Sequence, residues 1–121
     1  MQIESLSPNC LLRLGEFFTK NCETLTISSL LLSPIAHRSE DIVPFFKGVA
    51  CLSSLERMIF IAADESCCDN LDELVEILSG SCSLLNVELY DKNIQWIEDR
   101  NKHWQKEKRF KTVKPTYLPH S

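Results

Sequence analysis

The residue types that could carry out chemistry in this chain are concentrated between positions 64 and 76. This stretch holds six carboxylates and two thiols: Asp64, Glu65, Cys67, Cys68, Asp69, Asp72, Glu73 and Glu76. A thiol near a helix N-terminus is a potential nucleophile, but surrounding carboxylates raise the pKa of a thiol and oppose that role. Neighbouring acids could also form an acid–base pair, although solvated acidic surfaces are far commoner. We therefore expect no catalytic centre here.

The patterns that bind cofactors or metals are missing from the rest of the sequence. Its three glycines, Gly15, Gly48 and Gly80, fall within or at the end of helix-like segments and cannot form a phosphate-binding loop. Adjacent cysteines rarely ligate one tetrahedral ion, and neither Cys-x-x-Cys nor His-x-x-x-His occurs. The sequence predicts a protein that is not an enzyme and requires no cofactor or metal.

The clearest predicted helix spans residues 69–79. Asp69 suits the N-cap, Asp72 is favourably placed in the first turn, and Gly80 suits a left-handed terminating position. Its apolar stripe consists of Leu71, Leu74 and Leu78. This spacing predicts an amphipathic helix that turns its acidic side outward.

The acidic face of this helix has no basic residue nearby in the sequence, because none lies between Arg57 and Lys92. The carboxylates that share this face are Asp69, Asp72, Glu73 and Glu76. One interpretation is an ordinary solvated helix surface. The other is a surface that docks into a cationic cleft, where charge speeds association and rejects wrong partners.

The run from Asn70 to Gly80, with the pattern Asn-Leu-Asp-x-Leu-x-x-x-Leu-x-Gly and a strand through 87–89, resembles part of the barstar family. These are intracellular inhibitors of a secreted ribonuclease, and the resemblance covers their inhibitory helix and the following strand. It implies that acids on this helix plug a basic, phosphate-binding cleft, and the matching positions are Asp72 and Glu76. The sequence departs from the family at Val75, where the family has an aromatic residue.

More broadly, a buried strand, an acidic helix and a strand–turn–strand with Asp91 and Trp96 are similar to small α/β immunity proteins of bacterial toxin systems, including contact-dependent inhibition. The sequence thus predicts an immunity protein or antitoxin that neutralises a cognate, basic, nuclease-like toxin. The predicted partner-binding residues are Glu65, Asp69, Asp72, Glu73, Glu76 and Trp104. Trp104 has two open roles, since tryptophan serves both as core residue and as interface anchor.

The C-terminal segment 100–114 supports an alternative function. It interleaves seven basic residues with Trp104 and Phe110, a composition that could bind nucleic acid. Residues 1–99 contain 6 Lys/Arg and 16 Asp/Glu, so the segment could instead pack across the chain's own acidic body. We favour the intramolecular interpretation.

The elements that position these residues form one domain over residues 1–121, of class α/β (α+β). Predicted helices cover 8–22, 44–54 and 69–79, and predicted strands cover 24–35, 58–63 and 84–90. Residues 94–96 complete a hairpin, residues 98–111 fit either helix or strand, and 112–121 form a tail outside the core. We expect a central mixed or antiparallel sheet of about four strands flanked by about three helices. Without a signal peptide or membrane span, the protein is expected in the cytoplasm.

Overall fold

In the computed structural model, strands and helices alternate along the chain. The structure describes residues 2–3, 7–35, 39–63, 67–107 and 110–111. The strands are β1 (Gln2–Ile3), β2 (Ser29–Ile35), β3 (Arg57–Ala62) and β4 (Asn86–Tyr90). The helices are α1 (Pro8–Lys20), α2 (Ser39–Cys51), α3 (Cys67–Leu78) and α4 (Glu98–Glu107). The α/β class is confirmed, while the predicted tail 112–121 lies outside the described residues.

The four strands form one parallel sheet in the order β1-β2-β3-β4. The predicted mixed or antiparallel sheet is therefore wrong. Each of the strands β1, β2 and β3 is followed by a helix that returns the chain to the start of the next strand, and such a crossover makes neighbouring strands parallel. The predicted hairpin is reduced to a single antiparallel bridge between Tyr90 and Trp96.

Several element boundaries differ from prediction for local reasons. The second helix begins at Ser39 and includes Pro44, which had been placed at its start. The helix of the acidic segment begins at Cys67, so Asp69 lies inside it and not at its N-cap. Gly80 ends this helix without a positive φ, contrary to expectation. Residues 98–107 are helical, which resolves the open choice for this segment.

The main core lies between the sheet and the helices, on one face of the sheet. Alternate strand residues such as Leu30, Phe60 and Leu89 point into it, together with apolar side chains from all four helices. A run of ring contacts crosses this core, linking Phe18, Phe45, Phe46, Phe60 and Trp104 in that order. Because all four helices contribute side chains to this one cluster, they lie on the same side of the sheet.

The opposite sheet face carries a second, smaller cluster of Leu31, Ile59 and Tyr90. Beside it lies Glu88, a residue that is 4% exposed. Arg57 binds this carboxylate through Nε at 2.5 Å and Nη2 at 3.0 Å, and the Tyr90 hydroxyl donates to it at 2.7 Å. Burial and the hydrogen bond to Glu88 raise the pKa of Tyr90 well above its usual value, so the phenol keeps its proton. The buried carboxylate is thus fully hydrogen-bonded.

Helices α1 and α2 cross in close backbone contact at two glycines. A Cβ atom on Gly48 would lie 2.3 Å from the carbonyl oxygen of Gly15, and one on Gly15 would lie 2.7 Å from the Cα of Phe45. Glycine lowers helix propensity, so Gly48 alone would weaken its helix. The structure shows that its missing side chain permits the crossing.

The edge of β4 is closed by a side chain of α4. The Asn101 amide oxygen accepts from the Leu89 N–H at 3.0 Å, and its nitrogen donates to the Leu89 carbonyl at 2.9 Å. Asn101 is 1% exposed. A single amide therefore completes both backbone hydrogen bonds of an edge residue, as a neighbouring strand would.

Candidate partner-binding surface on helix α3

Helix α3 is fixed to the core by an apolar stripe that the sequence predicted correctly. Leu71, Leu74 and Leu78 are fully buried, and Val75 joins them. On the other side, Glu73 and Glu76 are exposed. The helix has no Lys or Arg within its bounds. The packing of the stripe thus holds two glutamates at the protein surface.

Asp72 has a different role from its neighbours because α4 binds it. Its Oδ2 accepts a hydrogen bond from Arg100 Nη1 at 2.5 Å, and its Oδ1 accepts one from Trp104 Nε1 at 2.7 Å. Arg100 is 28 residues further along the chain, so no local charge pattern around α3 could reveal the pair. The expectation that this acidic face lacks internal neutralisation is wrong at Asp72.

Trp104 is part of the core. Its side chain is fully buried, with its ring edge-on to Phe60 at a centroid distance of 6.0 Å. Of the two roles that its sequence context left open, the structure supports packing. Its indole N–H is satisfied by Asp72, which explains how a tryptophan donor is accommodated in this position. The predicted contact of Trp104 with a partner is therefore corrected.

The structure of the basic C-terminal segment gives little support to the alternative that this segment binds nucleic acid. Arg100 is engaged by Asp72, and Trp104 and Phe110 are buried, so these two rings are not available for stacking on bases. Lys102, Lys106 and Lys111 are exposed within the described part of the segment. The favoured intramolecular interpretation is supported at Arg100, where the segment packs against the acidic helix.

Two predicted site residues cannot be placed. Glu65 lies outside the described residues, as does the side chain of Asp69, although the Asp69 backbone belongs to α3. The structure therefore brings Asp72, Glu73 and Glu76 together on one helix, with Asp72 turned towards α4. The described residues contain no group of His, Cys, Asp or Glu arranged to hold a metal ion.

The loop that follows β4 lies at the same sheet edge as the start of α3, because parallel strands end at a common edge. In this loop the Asp91 carboxylate accepts hydrogen bonds from the Asn93 and Gln95 backbone N–H groups at 2.9 and 3.0 Å. Ile94 has φ 59°, the one positive value among described non-glycine residues. Sequence reasoning treated 91–93 as an ordinary turn and missed Ile94, although its position next to Asp91-Lys92-Asn93 was a visible signal.

Comparisons with protein-family models, curated proteins and solved structures produced no match. Within the described residues, none of the helices has the length and apolar character needed to cross a bilayer.

Proposed function

We propose that this protein is an inhibitor of the immunity-protein or antitoxin type, which neutralises a basic, nuclease-like toxin through the exposed carboxylates of α3. The observation that carries the proposal is the presentation of Glu73 and Glu76 on a helix whose other side is anchored in the core. A rigid element that displays acids suits a cationic cleft, since little conformational freedom is lost on docking.

The proposal gives Asp72 a positioning role in place of direct contact. Its hydrogen bonds to Arg100 and Trp104 hold α3 and α4 together, and so fix the direction in which Glu73 and Glu76 face. Two observations support this assignment: α4 binds the Asp72 carboxylate, and Glu73 and Glu76 are exposed.

The test replaces both glutamates by lysine and measures capture of the protein encoded by the adjacent gene, with its catalytic residues inactivated. We expect the Glu73→Lys/Glu76→Lys double variant to bind on the order of 100-fold more weakly, because it turns attraction into repulsion across the interface. The association rate should fall and its dependence on salt should weaken.

A matched double variant, Glu16→Lys/Glu23→Lys, distinguishes an effect of the α3 site on binding from an effect of the overall net charge. These glutamates are also exposed, on α1 and just after it, and α2 packs between α1 and α3. Both doubles shift the formal net charge of −4 by the same amount. Equal weakening by the two doubles would contradict a site on α3, and a wild-type chain that fails to bind the neighbouring gene product would remove the proposed function.

A further inference from the structure

Ile94 occupies a conformation that is unfavourable for its side-chain type. Its φ of 59° is in the left-handed region, where a β-branched residue is strained and Gly, Asn or Asp are usual. The loop enforces this conformation: Ile94 N–H donates to the Asp91 carbonyl at 2.9 Å, and Asp91 N–H donates to the Gln95 carbonyl at 2.9 Å. The backbone cost is therefore built into the fold.

The Ile94 side chain does not recover this cost by packing. It is 41% exposed, and neither apolar cluster of the described residues includes it, although the neighbouring Trp96 and Ile97 pack against those clusters. Backbone strain and solvent exposure of an apolar side chain thus both disfavour the folded state at this one position. Asparagine would remove both while keeping the turn.

We infer that Ile94 is an apolar anchor that inserts into a pocket on the protein partner, at the edge of the α3 surface. Strained residues that the surrounding structure over-determines cluster at binding sites. The inference rests on the proposed function and extends its surface from α3 to the loop after β4. The two are joined in the fold, since Arg100, six residues after Ile94, binds Asp72 on α3.

The charge around Ile94 indicates what kind of pocket it fits. Asp91, Glu98 and Asp99 lie close to it in the chain; Glu98 and Asp99 are exposed, and Glu98 forms an exposed ion pair with Lys102 at 3.5 Å. Lys92 is the one basic residue between Asp91 and Asp99. An apolar side chain whose neighbours in the chain are more acidic than basic complements an apolar pocket with a basic rim. Such a pocket is consistent with a basic partner protein.

The deciding experiment measures stability and binding of Ile94→Asn together, with the inactivated product of the adjacent gene as the probe. We expect the melting temperature to rise by roughly 3–6 °C as strain is relieved, while Kd increases at least about tenfold. Ile94→Leu, which keeps an apolar side chain, should bind within about twofold of wild type. Opposite changes in stability and binding distinguish an anchor from a structural residue.

Leu85→Asn is the control, because Leu85 is 51% exposed and lies at the opposite end of β4. It should leave binding unchanged. A lower melting temperature for Ile94→Asn would overturn the inference by showing that Ile94 stabilises the fold, and so would unchanged binding. If Ile94→Asn weakens binding while Glu73→Lys/Glu76→Lys does not, Ile94 contacts the partner and the proposed α3 site is wrong. If only Glu73→Lys/Glu76→Lys weakens binding, the inference about Ile94 is wrong and the proposed α3 site is retained.

Discussion

Asp72 shows at the scale of single residues how one acid is removed from a predicted binding face. Spacing within 69–79 predicted correctly that Glu73 and Glu76 would face outward. It could not distinguish Asp72 from them, since the groups that bind Asp72 belong to α4 and lie 28 and 32 residues further along the chain. Local sequence determines which side of a helix faces solvent, but a partner far away in the chain decides whether an acid on that side is already bound.

Replacing Asp72 tests this contact. We expect Asp72→Ala to lower the free energy of unfolding by about 2–3 kcal/mol, because the buried Trp104 indole N–H and the Arg100 guanidinium both lose their acceptor. Asp72→Asn keeps one acceptor oxygen and should cost less. Urea denaturation measures both. Glu98→Ala, which breaks an exposed 3.5 Å pair with Lys102, is the control and should cost no more than about 0.5 kcal/mol. A loss that small for Asp72→Ala would show that the hydrogen bonds of Asp72 to Arg100 and Trp104 contribute little to stability.

Tyr90 makes the stability of the protein sensitive to alkaline pH. The pKa of its phenol is raised in the folded state by burial and by the hydrogen bond to Glu88. Its contribution is therefore complete below the unfolded-state pKa of about 10 and is lost as pH rises above that value. Wild type should exceed Tyr90→Phe in unfolding free energy by about 1–2 kcal/mol at pH 7.

That stability difference should shrink as urea titrations move from pH 10 upward, because the unfolded wild-type chain releases the phenol proton and the folded chain does not. The phenylalanine variant reports every other alkaline effect and so serves as the control. A difference that stays constant to pH 11.5 would show that the Tyr90 proton is not held by the fold.

At the scale of elements, agreement with the sequence depended on how much of the signal was local. Helices α1 and α3 were predicted within about two residues at each end, because apolar spacing marks both of them and Ser7 caps the start of α1. Helix α2 was predicted to start five residues late, since Pro44 was taken as its first residue. The two-residue strand β1 was missed, as so short a segment has no detectable periodicity.

The close α1–α2 crossing predicts that alanine at Gly48 destabilises the protein, whereas alanine at Gly80, outside the crossing, has little effect. Gly48→Ala should destabilise the protein by about 2–3 kcal/mol, because the new methyl group would meet the Gly15 backbone. This clash exceeds the gain of about 1 kcal/mol in helix propensity. Gly80→Ala meets nothing closer than the Ile77 carbonyl oxygen at 3.4 Å and should stay within about 0.5 kcal/mol of wild type. Thermal or urea unfolding compares them, and equal effects would contradict a close crossing.

At the scale of the whole molecule, charge that is separated in the sequence is partly brought together in space. Acids dominate residues 1–99 and bases dominate the C-terminal segment, but the fold brings Arg100 onto Asp72. Strand direction was the main error at this scale. A buried apolar run such as 58–62 has the same composition in either direction, and only the connecting helices determine that the sheet is parallel.

The amide of Asn101 has a consequence for behaviour at high protein concentration. An open sheet edge offers free backbone groups to the strands of other molecules, and this is a common route to polymerisation. At Leu89 both groups are already occupied from within the same chain. A second molecule therefore finds no template at this position, and the protein is protected there from growing into fibrils without a proline on the strand.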